Sequence, residues 1–152
     1  MRFVGPIATL LVLSTTALPV RASSPDSTPP DQQSLDALEA RANQAQPREQ
    51  CFLYAELVQQ MTELSIHQYQ AGDVSKATGL LRQIQRVAQK IHLSLAGNDK
   101  RLKNAEILLS RTAFRLNEMM HSTTIEDRPI VAQALSQVNQ AENAAMMEVF
   151  SK

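Results

Sequence analysis

Apolar residues recur along most of the chain in steps of three and four, the spacing that places them on one side of an α-helix. The pattern covers one short segment from about Leu35 to Ala45 and four long segments, 48–71, 74–96, 99–120 and 128–150. Gly72 and Gly97 stand at the ends of two long segments, as glycine does at helix C-termini. No run of residues alternates apolar and polar positions, so the sequence does not support a β-sheet.

The same stripes predict which side chains form the core. Four helices of ~22 to 24 residues, each ~35 Å long and joined by short turns, indicate an antiparallel up-down bundle in which consecutive helices are neighbours. We therefore predict an all-α domain over residues 31–152: a short N-terminal helix, with Thr28 as its N-cap, followed by a four-helix bundle. The predicted core residues are Leu35, Leu38, Ala42 and Ala45; Cys51, Tyr54, Leu57, Val58, Met61 and Leu64; Ala77, Leu81, Ile84, Ala88, Ile91 and Leu95; Leu102, Ala105, Leu109, Thr112, Leu116 and Met119; and Val131, Ala134, Leu135, Val138, Ala141, Ala145 and Val149.

Local sequence resemblances give an alternative to this bundle. Leu64, the Ala71-Gly72-Asp73 turn and Lys76-Ala77 resemble the inter-helix turn of a tetratricopeptide repeat, over one hairpin at 61–84. This resemblance implies stacked helical hairpins and a protein partner. The segments 48–54 and 100–106 resemble exported helical proteins of bacteria that have no assigned activity, which supports export and implies no chemistry.

The N-terminus has the features of a secretory signal peptide. Arg2 precedes an apolar run over 3–18, which falls short of the ~20 residues that span a bilayer. Val20-Arg21-Ala22 places small residues at the positions that signal peptidase reads, so we expect cleavage after Ala22. Residues 23–30, with three prolines, are predicted to be a disordered linker. The sequence thus predicts a periplasmic or secreted protein without a stable membrane anchor.

The charge total is balanced, but the charges are unevenly distributed. The 15 basic residues equal the 15 acidic ones, and loss of Arg2 and Arg21 with the signal leaves 13 against 15. With few aromatic residues as well, this composition argues against a nucleic-acid ligand. Residues 74–117 hold nine of the basic residues and only two acidic ones. The simplest interpretation is that a basic central hairpin faces acidic helices that bear Glu49, Glu56, Glu63, Glu142 and Glu148.

One basic cluster suggests a site for an anion. Lys100, Arg101 and Lys103 fall in the first turn of a helix, where the helix dipole disfavours cations. Basic side chains around the free amides of a helix start can bind phosphate, a carboxylate or an acidic segment of a partner. Lys90 is expected to reach toward the same end of the bundle.

Other candidate chemistry is sparse. Cys51, the only cysteine, is expected in the core, with an intermolecular disulfide as the alternative. His67, His92 and His121 lie near helix C-termini, where a cation is favoured. The alternative is a metal or redox site formed by Glu63, His67, Glu118 and His121, because Glu118 and His121 have the Glu-x-x-His spacing of di-iron bundles.

No motif for a catalytic triad, a phosphate loop or a paired cysteine occurs in the chain. We therefore expect an exported non-catalytic helical protein without a cofactor, which binds an unidentified protein or an anionic ligand. The oligomeric state cannot be read from the sequence.

Overall fold

A computed structural model describes residues 28–95 and 99–151, and of Asp99 and Lys100 it describes the backbone alone. The predicted signal peptide with its Ala22 cleavage point, most of the predicted linker and Gly97 lie outside these residues. The described chain forms five α-helices: α1 (Gln32–Gln44), α2 (Pro47–Gln70), α3 (Val74–Leu93), α4 (Asp99–Ser122) and α5 (Arg128–Phe150). The all-α class and the bundle are confirmed, and the long helices begin and end within three residues of their predicted limits.

The start of α1 differs from the prediction. Asp31, not Thr28, is the N-cap, and its carboxylate accepts a hydrogen bond of 2.8 Å from the amide of Ser34. The side-chain hydrogen bond from Ser34, followed by that of its amide, holds the pKa of Asp31 below its usual value. Thr28 as N-cap would make Pro29 the first helical residue, and Pro29 avoids helical angles because it precedes Pro30.

The helices pack in an order that the sequence pattern did not reveal. The contacting pairs are α1 with α2, α2 with α3, α4 with α5, α2 with α4, and α3 with α5. The expected hairpin of two neighbouring basic helices is therefore wrong, because α3 and α4 do not contact each other along their described lengths.

Two antiparallel hairpins, α2–α3 and α4–α5, thus lie side by side. Glu49 near the start of α2 pairs with Arg101 near the start of α4, and Glu63 pairs with Arg115 two turns before the end of α4. Helices α2 and α4 are therefore parallel, and since each begins an antiparallel hairpin, α3 and α5 are parallel as well. Helix direction still alternates along the chain, as predicted.

Helix α2 is the most deeply enclosed helix, since it packs against α1, α3 and α4. The predicted stripe of α2 is buried, and so are Leu53, Ala55, Thr62 and Ser65, which lie outside that stripe. Leu35, Leu38 and Ala42 of α1 are buried against this assembly. Helix α1 therefore covers a side of α2 that a four-helix bundle would leave exposed.

Two tyrosines tie the ends of α2 to its neighbours. Near the start, the Tyr54 hydroxyl donates a hydrogen bond of 2.9 Å to Asn43 Oδ1 of α1. Near the end, the Tyr69 hydroxyl accepts a hydrogen bond from the amide of Thr124 and donates one to the carboxylate of Asp127, both 3.0 Å long. The turn between α4 and α5 is thereby fixed to the C-terminal end of α2.

The buried face of α5 consists of small residues, namely Val131, Ala134, Val138, Ala141 and Ala145. Leu135 and Val149, which the stripe placed in the core, are only partly buried and pack at its edge. The side of α5 that faces the core is therefore centred on the alanines and not on the predicted stripe with Leu135 and Val149.

The two glycines that the structure describes provide a matched test of the turn between α2 and α3. Gly72 has a φ of +86°, and a Cβ added there or at Gly79 within α3 would meet no atom within 4 Å. Gly72→Ala should lower the free energy of unfolding by ~1 to 2 kcal/mol, because only the left-handed backbone opposes it. Gly79→Ala should raise it by ~0.5 to 1 kcal/mol, because alanine favours a helix interior. Urea denaturation of both variants measures this, and a Gly72→Ala variant as stable as wild type would contradict the assigned turn.

Candidate functional site: the groove between α3 and α5

The predicted anion site is not assembled around Lys90. The Lys90 amine lies 3.4 Å from Glu39 Oε1 and 3.2 Å from Asn43 Oδ1, both on α1, and 5.5 Å from the centre of the Tyr54 ring. The amine therefore lies between the acid and the amide of α1 and the ring of Tyr54 on α2. Lys90 thus lies toward the end of the bundle where α2 and α4 begin, as expected, but its amine contacts α1 and Tyr54.

The remaining members of that predicted site lie in the first turn of α4. The Arg101 guanidinium lies 3.9 Å from Glu49 Oε1 and stacks 4.9 Å from the centre of the Phe52 ring. Lys103 is exposed, and the side chain of Lys100 lies outside the described atoms. Arg101 is therefore engaged by α2, as the interpretation of internal charge complementarity predicts for the basic helices.

Two of the four candidate metal ligands, Glu63 and Glu118, meet at Arg115, which the sequence analysis did not place with them. Arg115 donates to both carboxylate oxygens of Glu63, at 2.9 and 3.0 Å, and to Glu118 Oε2 at 2.7 Å. Hydrogen bonds from Arg115, first to Glu63 and then to Glu118, raise the pKa of its guanidinium above its usual value. A cation already occupies the carboxylates that a metal would need.

The two histidines of that set lie at the exposed surface. His67 lines a cavity of about 520 Å³ together with Glu63, Arg115, Pro29 and Pro30, whereas His121 lies in the last turn of α4. Within the described part of the chain, no three His, Cys, Asp or Glu side chains are grouped as a metal ion would require. Pro29 and Pro30, which belong to the predicted linker, are half-buried and line one side of this cavity beside α2.

Cys51 belongs to the core, as the stripe predicts. Its side chain is 4% exposed, and burial raises the pKa of the thiol to about 12. A disulfide with a second chain would require the sulfur to leave the contact between α2 and its neighbours. Burial therefore disfavours the intermolecular alternative.

An apolar groove lies between the parallel helices α3 and α5. It has a volume of about 540 Å³, and its wall is mainly apolar. Leu93 at the end of α3 is 84% exposed and Met147 on α5 is 71% exposed, and both line this groove. The other lining residues are Ala88, Gln89, His92, Gln137, Gln140, Ala141, Asn143 and Ala144.

The outer surface of α5 continues this groove, and after Arg128 none of its exposed residues is charged. Its exposed positions after Arg128 are Pro129, Ala132, Gln133, Ser136, Asn139, Gln140, Asn143, Met146, Met147 and Phe150. The only charged residues in that part of the helix, Glu142 and Glu148, are half-buried at its sides. Solvent-exposed helices ordinarily bear charges, whereas the centres of protein interfaces are depleted of Lys, Glu and Asp and enriched in Met.

Sequence reasoning placed the candidate chemistry at charged residues and missed this surface. The signal was present in the chain: from 129 to 150 only Glu142 and Glu148 are charged, although the helix has one buried side. Met146-Met147 and Phe150 lie beyond the stripe that the core requires. The pairing of α3 with α5, which creates the groove, could not be read from the pattern.

Comparison of the chain with protein-family models, with curated proteins and with solved structures gives no match. None of the described helices is long and apolar enough to cross a membrane.

The burial of Cys51 gives a direct test of the core. A thiol with a pKa of about 12 holds very little thiolate at pH 8, so a thiol reagent should react about a hundredfold or more slowly with the folded protein than with protein unfolded in urea. Colorimetric thiol titration measures both rates. Equal rates, or a disulfide-linked dimer on a non-reducing gel, would contradict the buried position.

Proposed function

We propose that this chain is an exported, non-catalytic protein-interaction module whose binding surface is the α3–α5 groove with the adjoining outer face of α5. The observation that carries the proposal is the exposure of Leu93 and Met147 on opposite walls of one apolar groove. Large apolar side chains that remain exposed together ordinarily mark a site where another macromolecule or a ligand binds. Export with cleavage after Ala22 belongs to the proposal, and rests on the sequence of residues 1–22 alone.

The chemistry of the groove defines the kind of partner. Its polar side chains are mostly amides, among them Gln89, Gln137, Gln140 and Asn143, which donate and accept hydrogen bonds without a net charge. His92 is the one titratable residue of the wall. A strongly charged partner would therefore lose its hydration in the groove and gain no opposite charge in return.

The shape of the groove favours a helix as the bound element. Two parallel helices form its walls, and a third helix laid between them would place apolar residues of one face against Leu93, Ala144 and Met147. Helices commonly dock into such grooves through residues spaced three and four apart. We therefore expect an amphipathic helix with an uncharged binding face.

Site-specific photocrosslinking in the native envelope tests this function. A photoreactive amino acid at exposed Gln89, in the groove, should give an adduct of defined mass, and mass spectrometry should map its far end to a helix with an uncharged face. The same amino acid at Asn117, exposed on α4, is the control and should give no such adduct.

A second substitution makes the test specific. Leu93→Glu, placed in the Gln89 crosslinking variant, should reduce the adduct ~tenfold or more because a charge enters an apolar contact. Leu93 is 84% exposed, so the folded state should tolerate the change. Equal adducts at Gln89 and Asn117, or an adduct indifferent to Leu93→Glu, would contradict the proposed surface.

A further inference from the structure

The outer face of α5 carries a second regular stripe besides the one that packs in the core. Ser136, Gln140, Asn143, Met147 and Phe150 follow one another in steps of four, three, four and three, and all five are exposed. This spacing forms a seam along one side of a helix and is the repeat by which two helices pack against each other. At its C-terminal end this second stripe presents two large apolar side chains, Met147 and Phe150, that none of the described helices covers.

The side chains of this second stripe change in size along the helix. The N-terminal half presents small or short residues, Ala132 and Ser136, and the C-terminal half presents Met147 and Phe150, which is 81% exposed. A parallel copy would set large residues against large ones. An antiparallel copy centred between Ala141 and Glu142 would set Met147 opposite Ser136, Phe150 opposite the uncharged Gln133, and the amide of Gln140 opposite that of Asn143.

We propose that the occupant of the α3–α5 groove is the α5 helix of a second copy of this chain, which packs antiparallel against α5 and forms a two-fold symmetric dimer. The inference rests on the proposed function, since it names the partner of that same surface. Helix α5 is itself amphipathic with an uncharged exposed face, which is the kind of helix expected to bind in this groove. In the dimer, Met147 and Phe150 pack against the N-terminal half of the second copy's helix, where Met147 faces the short side chain of Ser136.

The charge distribution permits self-association here and opposes it on α4. A two-fold interface brings each surface against itself, so like charges on it would repel. The exposed positions of α5 after Arg128 carry no charge, and Glu142 and Glu148 lie at the sides of the stripe. The exposed side of α4, in contrast, is charged: it bears Arg101, Lys103, Arg111 and Glu118.

The available area fits a dimer. The 23 residues of α5, together with the groove wall on α3, offer a strip about 35 Å long and about 20 Å wide, on the order of 700 Å². Stable interfaces bury about 800 Å² on each partner. The surface is therefore large enough for a moderate homodimer.

Sedimentation velocity of the purified chain over a range of concentrations tests the dimer. Wild type should sediment as a reversible dimer, and Met147→Glu should raise the dissociation constant at least ~tenfold, because an unpaired charge is buried at the interface. Phe114→Glu is the matched control: Phe114 is also an exposed large apolar residue, at 63%, but on α4, so this variant should dimerise as wild type does. Circular dichroism checks that both variants remain helical.

A disulfide test fixes the orientation. Under oxidation, a mixture of Ser136→Cys and Met147→Cys chains should form the mixed disulfide, whereas neither variant should cross-link to itself. In the antiparallel pair, like positions lie ~16 Å apart along the axis, beyond the ~7 Å that a disulfide allows. Self-linked single variants would overturn the antiparallel arrangement.

The outcomes separate this inference from the proposed function. A chain that stays monomeric, or a dimer that Met147→Glu leaves intact, would overturn the inference. If the monomeric chain still gives a Leu93-dependent adduct at Gln89 with a helix of a different protein, the proposed function stands and the second copy is excluded. If neither dimer nor adduct forms, both fail.

Discussion

The enclosure of α2 is the constraint on which the rest of the fold depends. Three helices pack against it, and its buried residues, Leu57 and Val58 among them, occupy more of its circumference than one stripe. Such a helix exposes little apolar surface only if α1, α3 and α4 are all in place. Tyr54 and Tyr69 then fix both of its ends through hydrogen bonds to α1 and to the α4–α5 turn. The position of α5 follows, because it pairs with α4 and has α3 as its other neighbour.

The charges accompany this arrangement and do not create it. Glu63 and Arg115 form a bidentate salt bridge between α2 and α4, and the salt bridge of Glu39 with Lys90 joins α1 to α3. All four side chains are more than a third exposed, so each pair contributes at most ~1 kcal/mol. Their value is in specifying which helices lie side by side: an acidic α2 and a basic α4 are matched in parallel, in a register that a slip of one turn would break.

The helices themselves could be predicted from the sequence, and their neighbours could not. Spacing and turn residues such as Gly72 locate each helix within three residues, because they act over short distances along the chain. The contact of α3 with α5 depends on interactions between distant segments, and the short link between α3 and α4 misleadingly favoured their pairing. The groove was missed for this reason. The uncharged exposed face of α5 could have been noticed, since an amphipathic helix ordinarily bears charges opposite its core side, and 129–150 has only Glu142 and Glu148.

Native-state hydrogen exchange tests the central position of α2 most directly. If three helices enclose it, the amides of its middle turns, from Leu57 to Leu64, should exchange only when the whole chain unfolds, with an opening free energy equal to that from urea denaturation. The amides of α1 and of the last turns of α5 should exchange through smaller openings. Exchange of α2 at lower free energy than the α4–α5 hairpin would contradict the account, because that hairpin would then be the stable unit and α2 its dependent neighbour.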